Sequence, residues 1–494
     1  MAGSFFREPE PILSSGTTIM SKKLPDLYSA GFLLVLIIFI CLKLPDLALP
    51  YFWDELGVYA SGALRMHDTG IGILPASLEP LLSRGHPLLC YTAFATAFSW
   101  FGDSVLVGHA FALFIACATL LVFFLFVKDV FNQQIALISA ILLCMQPMFY
   151  AMSAVILPEM MLTCFSILAV WGLIRQKWGL YITGAAFAVL TKESGLILPA
   201  TALTVVFISA LKHRDLFSRR RLLQFLWAFV PLLIFLVFII IQKIQYGWFF
   251  FPFHTGLITK TFLKVINRIL VISHMFLYEQ GRWLTGLAAV AVFGRLTFRP
   301  FKDKTGSRAL RISMVFIFFS VIFACLNYYL HRYLLPILPF IILGAVYFVY
   351  QLAARVNNKL ISPVMIGVFG AYSLFQAWKY NDSGRFADVN DMSYKHMVLC
   401  KRDCIRWAEQ QPWNETVLAS YFPVNIALND YRLGYLGQKK SWPYTNEATP
   451  SSEYGIYYLH DEYLPTLKAK YQEIKRFTRK DATFIVIRFI KEKR

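Results

Sequence analysis

The chain has 494 residues, of which 57% are hydrophobic and only 16% charged, with a formal net charge of +19 and a mean hydropathy of +0.54. A soluble chain of this size would carry roughly a quarter charged residues, so an ordinary soluble enzyme is excluded. The basic residues also exclude a nucleic-acid surface. They sit in short loops between apolar runs, at Lys22-Lys23, Arg175 to Lys177, Lys212 to Arg221, Arg295 to Arg311 and Arg355 to Lys359, the positive-inside pattern of a multi-pass membrane protein.

In chain order, residues 1–29 read as a polar cytoplasmic segment with no cleavable signal, so the first apolar run stays as a signal anchor. Runs fit to cross a bilayer follow at Ala30–Leu49, Ser104–Val127, Gln134–Tyr150, Glu159–Ile174, Trp178–Leu190, Ser194–Leu211, Leu222–Ile241, Gly281–Phe298, Ile312–Leu330, Tyr333–Leu352 and Ser362–Trp378, about eleven in all by hydropathy and flanking charge. They are continuously apolar rather than alternating, which predicts helices and not a β-barrel. An odd count puts the N-terminus inside and the C-terminus outside. The first outer loop carries two stretches, Glu55–His67 and His86–Phe101, expected to lie as helices in the membrane surface.

Beyond Asn381 no run of spanning length remains. Strand patterns at Thr416–Ser420, Tyr454–Leu459 and Ala482–Phe489, with helical patterns at Lys395–Gln410 and Tyr463–Tyr471, predict a small α/β domain over 381–494. The transmembrane unit is then 30–380. Cys41, Cys117, Cys144, Cys164 and Cys325 fall inside apolar spans and read as small core residues. Cys400 and Cys404, at helical spacing, make a poor crosslink.

Four ionisable sites, Asp54-Glu55, Glu159, Lys192-Glu193 and His331-Arg332, fall on the outer side, joined by the turn from Arg84 to His86 and by His254. Asp54-Glu55 follows the first span, and two adjacent carboxylates beside hydrocarbon are costly without a task. A plainer role for Asp54 is to cap the helix starting at Glu55. Glu159 follows Pro158 in a helix-opening position, where a first-turn acid is also unremarkable structurally. Ser83-Arg84-Gly85-His86-Pro87 is a turn offering a cation and a ring donor, suited to a phosphate or simply to a polar surface. Lys192 interrupts an apolar stretch and either snorkels to the interface or binds phosphate. Arg332 is a third phosphate candidate. His254, in an aromatic loop from Trp248 to Phe253, is an interfacial histidine or a site residue beside a lipid passage. Two acids do not define a metal site. A divalent cation would have Asp54 and Glu159 as its ligands, and the need for one stays open.

Taken together, Asp54-Glu55, Gly85-His86-Pro87-Leu88, Leu157-Pro158-Glu159-Met160-Met161-Leu162, Leu190-Thr191-Lys192-Glu193-Ser194-Gly195-Leu196 and Arg332-Tyr333-Leu334-Leu335-Pro336 resemble the integral-membrane GT-C glycosyltransferases, on the branch of the protein O-mannosyltransferases and the aminoarabinose transferase of lipid A. The resemblance covers roughly Pro45 to Pro339. It departs from the family where Leu88 replaces a second proline and where the second-loop acid is Glu159 rather than Asp. It implies a mainly α, polytopic GT-C fold. It also implies a donor in which a hexose or pentose is linked to polyprenyl phosphate, and a lipid, glycan or protein acceptor. Transfer would be inverting and take place on the outer face, with Asp54 as general base, Glu159 as the second-loop acid and His86 at the basic position before the Pro-Leu pair. Glu55 is a further candidate acid, and Arg84, Lys192, Arg332 and His254 are candidate phosphate or substrate contacts read from the residues themselves. A bacterial plasma membrane is the expected location. A transporter or lipid flippase is the competing class; it would show internal repeats and broken helices near the midplane, whereas here no repeat stands out and the ionisable groups collect at one face.

Overall fold

The computed structural model describes residues 27–258, 261–298, 303–327, 330–356, 361–381, 389–413, 416–437, 442, 444–445, 452–459 and 470–490. Lys22-Lys23, Lys359 and most of the Tyr463–Tyr471 stretch lie outside them.

Each of the eleven apolar segments contains a helix: Leu27–Lys43, Val105–Val130, Gln133–Cys144, Pro158–Arg175, Trp178–Thr191, Ile197–His213, Arg219–Tyr246, Trp283–Phe298, Lys304–Leu326, Leu338–Val356 and Ile361–Asn381. Their ends follow local chemistry. Ser104 and Asn132 accept hydrogen bonds from the backbone nitrogens of Val107 and Ile135, at 3.4 and 2.8 Å, as N-caps do. Pro158 opens its helix at a first-turn position where its missing N–H costs nothing. Among the described residues seven helical stretches are long and apolar enough to cross a membrane. The chain is an integral, multi-pass membrane protein of mainly α architecture.

The helices Pro158–Arg175 and Trp178–Thr191 form a tight hairpin. A methyl group at Gly184 would stand 2.6 Å from the Ala169 backbone nitrogen, so only glycine permits this approach. The stretch His86–Phe101 is a helix only over Leu89–Phe101. Its 13 residues span about 20 Å, short of a bilayer core of about 30 Å. Before it, Glu55–Tyr59 forms one π-helical turn that continues as the helix Ala60–Thr69. The sequence reading overlooked the helix Phe262–Leu277, because Lys264, Asn267 and Arg268 interrupt its apolar run.

The C-terminal residues build a sheet of five strands, β1 Leu418–Ser420, β2 Tyr444–Thr445, β3 Tyr454–Tyr458, β4 Tyr471–Arg479 and β5 Ala482–Phe489, in the order β2-β1-β3-β5-β4. Strand β1 runs parallel to β2 and β3, and β5 is antiparallel to β3 and β4. The helix Tyr394–Glu409 packs on it, with Trp407 6.0 Å from Phe477. Tyr471, expected to end a helix, instead opens β4. That edge strand is exposed along nearly its whole length, so it lacks the buried-face alternation that announces a strand. Cys400 and Cys404 are both free and buried.

This domain is seated on the first loop of the membrane unit. The Tyr435 hydroxyl donates to the Tyr51 carbonyl at 2.7 Å, and the Tyr51 nitrogen donates to the Leu433 carbonyl at 3.3 Å. Arg432 joins Asp430 to Asp68 at 2.8 Å and Asp103 at 3.2 Å. Asp46 pairs with both Lys43 and Lys395. The C-terminal domain therefore grips the segment between Lys43 and Asp68 from which Asp54 projects.

Candidate active site

Asp54 stands in a turn with little freedom. Trp53 before it has φ +39°, a region that a bulky residue enters only when its surroundings hold it. Those surroundings are visible. The Phe422 ring of the C-terminal domain meets Trp53 edge-on at 4.8 Å, and it lies so close to Gly57 that a methyl there would be 2.8 Å from the ring. From beneath, the Glu55 carboxylate accepts from the Phe52 nitrogen at 3.0 Å, the Ile156 nitrogen at 2.7 Å and His109 Nε2 at 2.9 Å. Glu55 is only 1% exposed. This corrects the expectation that both adjacent acids face the reaction: Glu55 is a brace that ties the Asp54 turn to the loop before Pro158 and to a histidine within the span Val105–Val130. Nor does the Asp54 side chain cap the following helix. It is directed at Arg332.

Arg332 lies in a 3-10 turn, His331–Ile337, that feeds the helix Leu338–Val356. Its Nη2 pairs with Asp54 Oδ2, and its Nε is 3.6 Å from Glu159 Oε1. Lys192 leaves the end of the helix Trp178–Thr191 in an extended conformation. It donates to the same Glu159 oxygen at 2.6 Å and sits 3.8 Å from the centre of the Tyr333 ring. Four loops far apart in sequence thus bring Asp54, Glu159, Lys192 and Arg332 into one cluster. Glu159 is 1% exposed and Asp54 22%, so Asp54 is the acid that an incoming molecule meets. Glu159 Oε2 is buried and has no hydrogen-bond partner among the described residues, leaving acceptor capacity for a hydroxyl. Burial pushes the Asp54 carboxyl up, but Arg332, with help from Arg84 and Lys192, outweighs it and holds the group below the usual carboxylate range.

The remaining predicted residues form the rim. Arg84 adopts a left-handed backbone conformation. It is near enough to act electrostatically on Asp54, and its guanidinium has no ion pair among the described residues. His86 Nδ1 contacts both Glu193 oxygens at 2.9 Å, and its ring stacks on Tyr59 at 6.3 Å. His254 lies 4.9 Å from His86. Burial first, and the neighbouring His86 second, lower its pKa to about 4, so it is a neutral ring. His331 pairs with Glu279 at 2.7 Å, and that hydrogen bond draws the Glu279 carboxyl down to about 2 despite partial burial.

Sequence reasoning missed His109, Tyr59 and Phe422, and placed Glu193 beside Lys192 on the outer face without giving it a role. His109 carried a signal, being an ionisable residue inside an apolar span. Phe422 carried none, because its role depends on how two distant domains dock. A divalent cation fits these residues poorly. The Asp54 and Glu159 carboxylates are already bridged by the Arg332 guanidinium, and the described residues contain no group of three or more His, Cys, Asp or Glu placed to hold a metal.

A groove opens beside the cluster. Glu159, Lys192, Glu193 and Tyr333 form its polar end. Leu162 and Ser166 on one helix, and Phe316 and Phe323 on the helix Lys304–Leu326, line its deeper walls. The arrangement offers a base, clustered cations and an apolar channel in continuity.

Residues 85–251 match the family model of the dolichyl-phosphate-mannose-protein mannosyltransferases. No curated protein matches the chain. Among solved structures it is similar to ArnT from Cupriavidus metallidurans bound to undecaprenyl phosphate, with a TM-score of 0.56 at 14% identity, covering 93% of this chain and 97% of that one. The apo state of the same protein gives 0.54 at 14% identity over the same shares. The apo oligosaccharyltransferase of Archaeoglobus fulgidus gives 0.52 at 12% identity, covering 85% of this chain and 62% of that one. At these identities the likeness is one of fold. The architecture read from the sequence is borne out: this chain has the GT-C fold, a membrane helical bundle with a small C-terminal sheet.

Proposed function

We propose that this protein is a membrane glycosyltransferase that moves a sugar from a polyprenyl-phosphate carrier to an acceptor on the outer face of the membrane. The observation that carries the reading is the convergence of Asp54, Glu159, Lys192 and Arg332 at the polar end of an apolar groove. The structures it resembles add weight, because ArnT from Cupriavidus metallidurans was solved with undecaprenyl phosphate. The groove receives the start of the lipid chain along Leu162, Phe316 and Phe323. The phosphate comes to rest at Lys192, Arg332 and Arg84, and the sugar faces Asp54.

Charge balance then describes the step. Lys192, Arg332 and Arg84 supply the cations that face the single negative charge of a phosphodiester donor. An acceptor hydroxyl or amine attacks the anomeric carbon while Asp54 takes its proton. The bond from that carbon to the phosphate oxygen breaks, and its electron pair leaves with the lipid phosphate. As Asp54 becomes neutral it loses its hold on Arg332, just as the phosphate gains charge, so the guanidinium follows the negative charge across the site. Interactions that strengthen in this way favour the transition state over the bound substrate. A single displacement inverts the anomeric centre. The phosphate is a good leaving group and needs no general acid, unlike the leaving oxygen in glycoside hydrolysis. Glu159 Oε2 accepts from a sugar hydroxyl. His86, oriented by Glu193, and neutral His254 border the sugar or phosphate from the rim, and the aromatic loop around His254 flanks the approach of the lipid.

The test is to incubate the purified protein and an acceptor panel with sugars on polyprenyl phosphate and, separately, on nucleoside diphosphates. Release of free polyprenyl phosphate coupled to glycosylated acceptor is the expected result. Turnover of nucleotide sugars alone would overturn the reading.

A further inference from the structure

A second groove lies between the helices Trp283–Phe298 and Leu338–Val356. The helix Leu338–Val356 leaves directly from the turn carrying Arg332, while its neighbour begins just after Glu279, the partner of His331. Both therefore start beside the candidate active site and end away from it. Arg355 stands 17 residues beyond Leu338, about 25 Å along the axis.

At that far end, half-buried Arg295 and exposed Arg355, from the two facing helices, line the groove together with Gln351. The floor is apolar, made by Val292, Phe348 and Leu352. On the outer surface of the helix Trp283–Phe298, Leu287 and Val290 are 56% and 52% exposed, as suits contact with hydrocarbon. Each arginine alone is explained by its place in the last turn of a helix, where a cation favours the dipole. That does not explain why the two flank one cleft with a greasy floor.

We infer that this groove binds the headgroup phosphate of an anionic phospholipid, with an acyl chain leaving over Val292 and Leu352 toward the exposed face. Two guanidiniums suit a phosphodiester, which presents paired oxygens to donors that approach as planar forks. The preference for a net-negative lipid follows from charge: a choline headgroup would bring its own cation against the two arginines. The basic end of a membrane protein is also where anionic headgroups gather at a cytoplasmic leaflet. The site is separate from glycosyl transfer and does not depend on that assignment.

The experiment is native mass spectrometry of the full chain, purified in detergent and offered equal amounts of phosphatidylglycerol and phosphatidylcholine. Wild type is expected to retain phosphatidylglycerol preferentially. The Arg295→Gln/Arg355→Gln double variant is expected to lose roughly tenfold of that retention. Arg355→Lys, which keeps the charge and serves if the double variant does not fold, is expected to hold an intermediate amount. Lys212→Gln/Arg219→Gln, altering exposed cations elsewhere, is expected to leave retention unchanged. The inference is overturned by no preference in wild type, or by retention in Arg355→Lys that matches wild type together with an undiminished double variant. An equal loss in the Lys212/Arg219 control overturns it as well. So does full displacement of the lipid by millimolar inorganic phosphate, which would mark a site for free anions.

Discussion

Replacing Glu55 by Gln isolates the brace beneath the proposed base. Oε1 accepts from Ile156 and His109, and Oε2 from Phe52. The best fit of a glutamine keeps its carbonyl at the Oε1 position and turns its amide nitrogen toward the Phe52 N–H, so two donors face each other. One charge-assisted bond is lost and a buried donor is left unpaired. The combined cost is about 3 kcal/mol, close to a hundredfold in rate if it is released by moving the Asp54 turn. The expected result is a kcat lowered up to about a hundredfold, a donor KM within about twofold because the lipid groove is untouched, and an acid limb of the pH–rate profile still set by Asp54. Steady-state transfer from a polyprenyl-phosphate sugar across pH, with thermal unfolding in parallel, reads all three. A variant with wild-type kcat and unfolding temperature would refute the bracing argument. Loss of the acid limb itself would make Glu55 the base.

Four other outcomes follow from the same geometry. Arg332→Gln removes the cation that outweighs burial at Asp54; the carboxyl then moves up, and the acid limb of kcat/KM should shift to higher pH, whereas an unmoved limb contradicts the pairing. His254 should titrate near pH 4 in NMR, below the usual histidine value of about 6.5; because the fold favours its neutral form, this group withdraws stability as pH falls from about 6.5 toward 4, and a midpoint near 6.5 would place it in open solvent. Phe316→Trp narrows the groove and should raise KM for a long-chain donor while sparing a short-chain analogue; equal effects on both would move the lipid elsewhere. Arg432→Ala leaves Asp68, Asp103 and Asp430 without their shared cation and should loosen the C-terminal domain by about 1–3 kcal/mol, seen as faster hydrogen exchange across Tyr394–Glu409; unchanged exchange would show that the aromatic and backbone contacts suffice.

Eleven helices of the membrane unit were legible because each is set by continuous apolarity and flanking charge, properties carried by the residues themselves; Phe262–Leu277, whose apolar run is interrupted by Lys264, Asn267 and Arg268, was not. The positions of Asp54, Glu159, Lys192 and Arg332 were legible for the same reason, as charges interrupting hydrocarbon need a common polar place. Their partners were not. Nothing local in Arg332 says that it bridges two acids, and nothing in Glu55 distinguishes it from Asp54 until the fold buries one and leaves the other accessible. Pairing of His86 with Glu193 depends on a loop arriving from 107 residues away. Strand β4 was missed because its exposed edge carries Glu473, Lys475, Arg476 and Arg479 with no buried face to pattern. The grip of Tyr435, Leu433 and Phe422 on the first loop is a property of docking, which side-chain periodicity does not encode.

The central claim is that Asp54 takes the acceptor proton during transfer from a lipid phosphate. The most direct measurement is single-turnover transfer by Asp54→Asn alongside wild type, with donor affinity measured on the same preparations. A loss of at least about a hundredfold in the transfer rate, within the range expected for removing a general base, with donor binding retained is the predicted result. Asp54→Asn turning over at the wild-type rate would contradict the account.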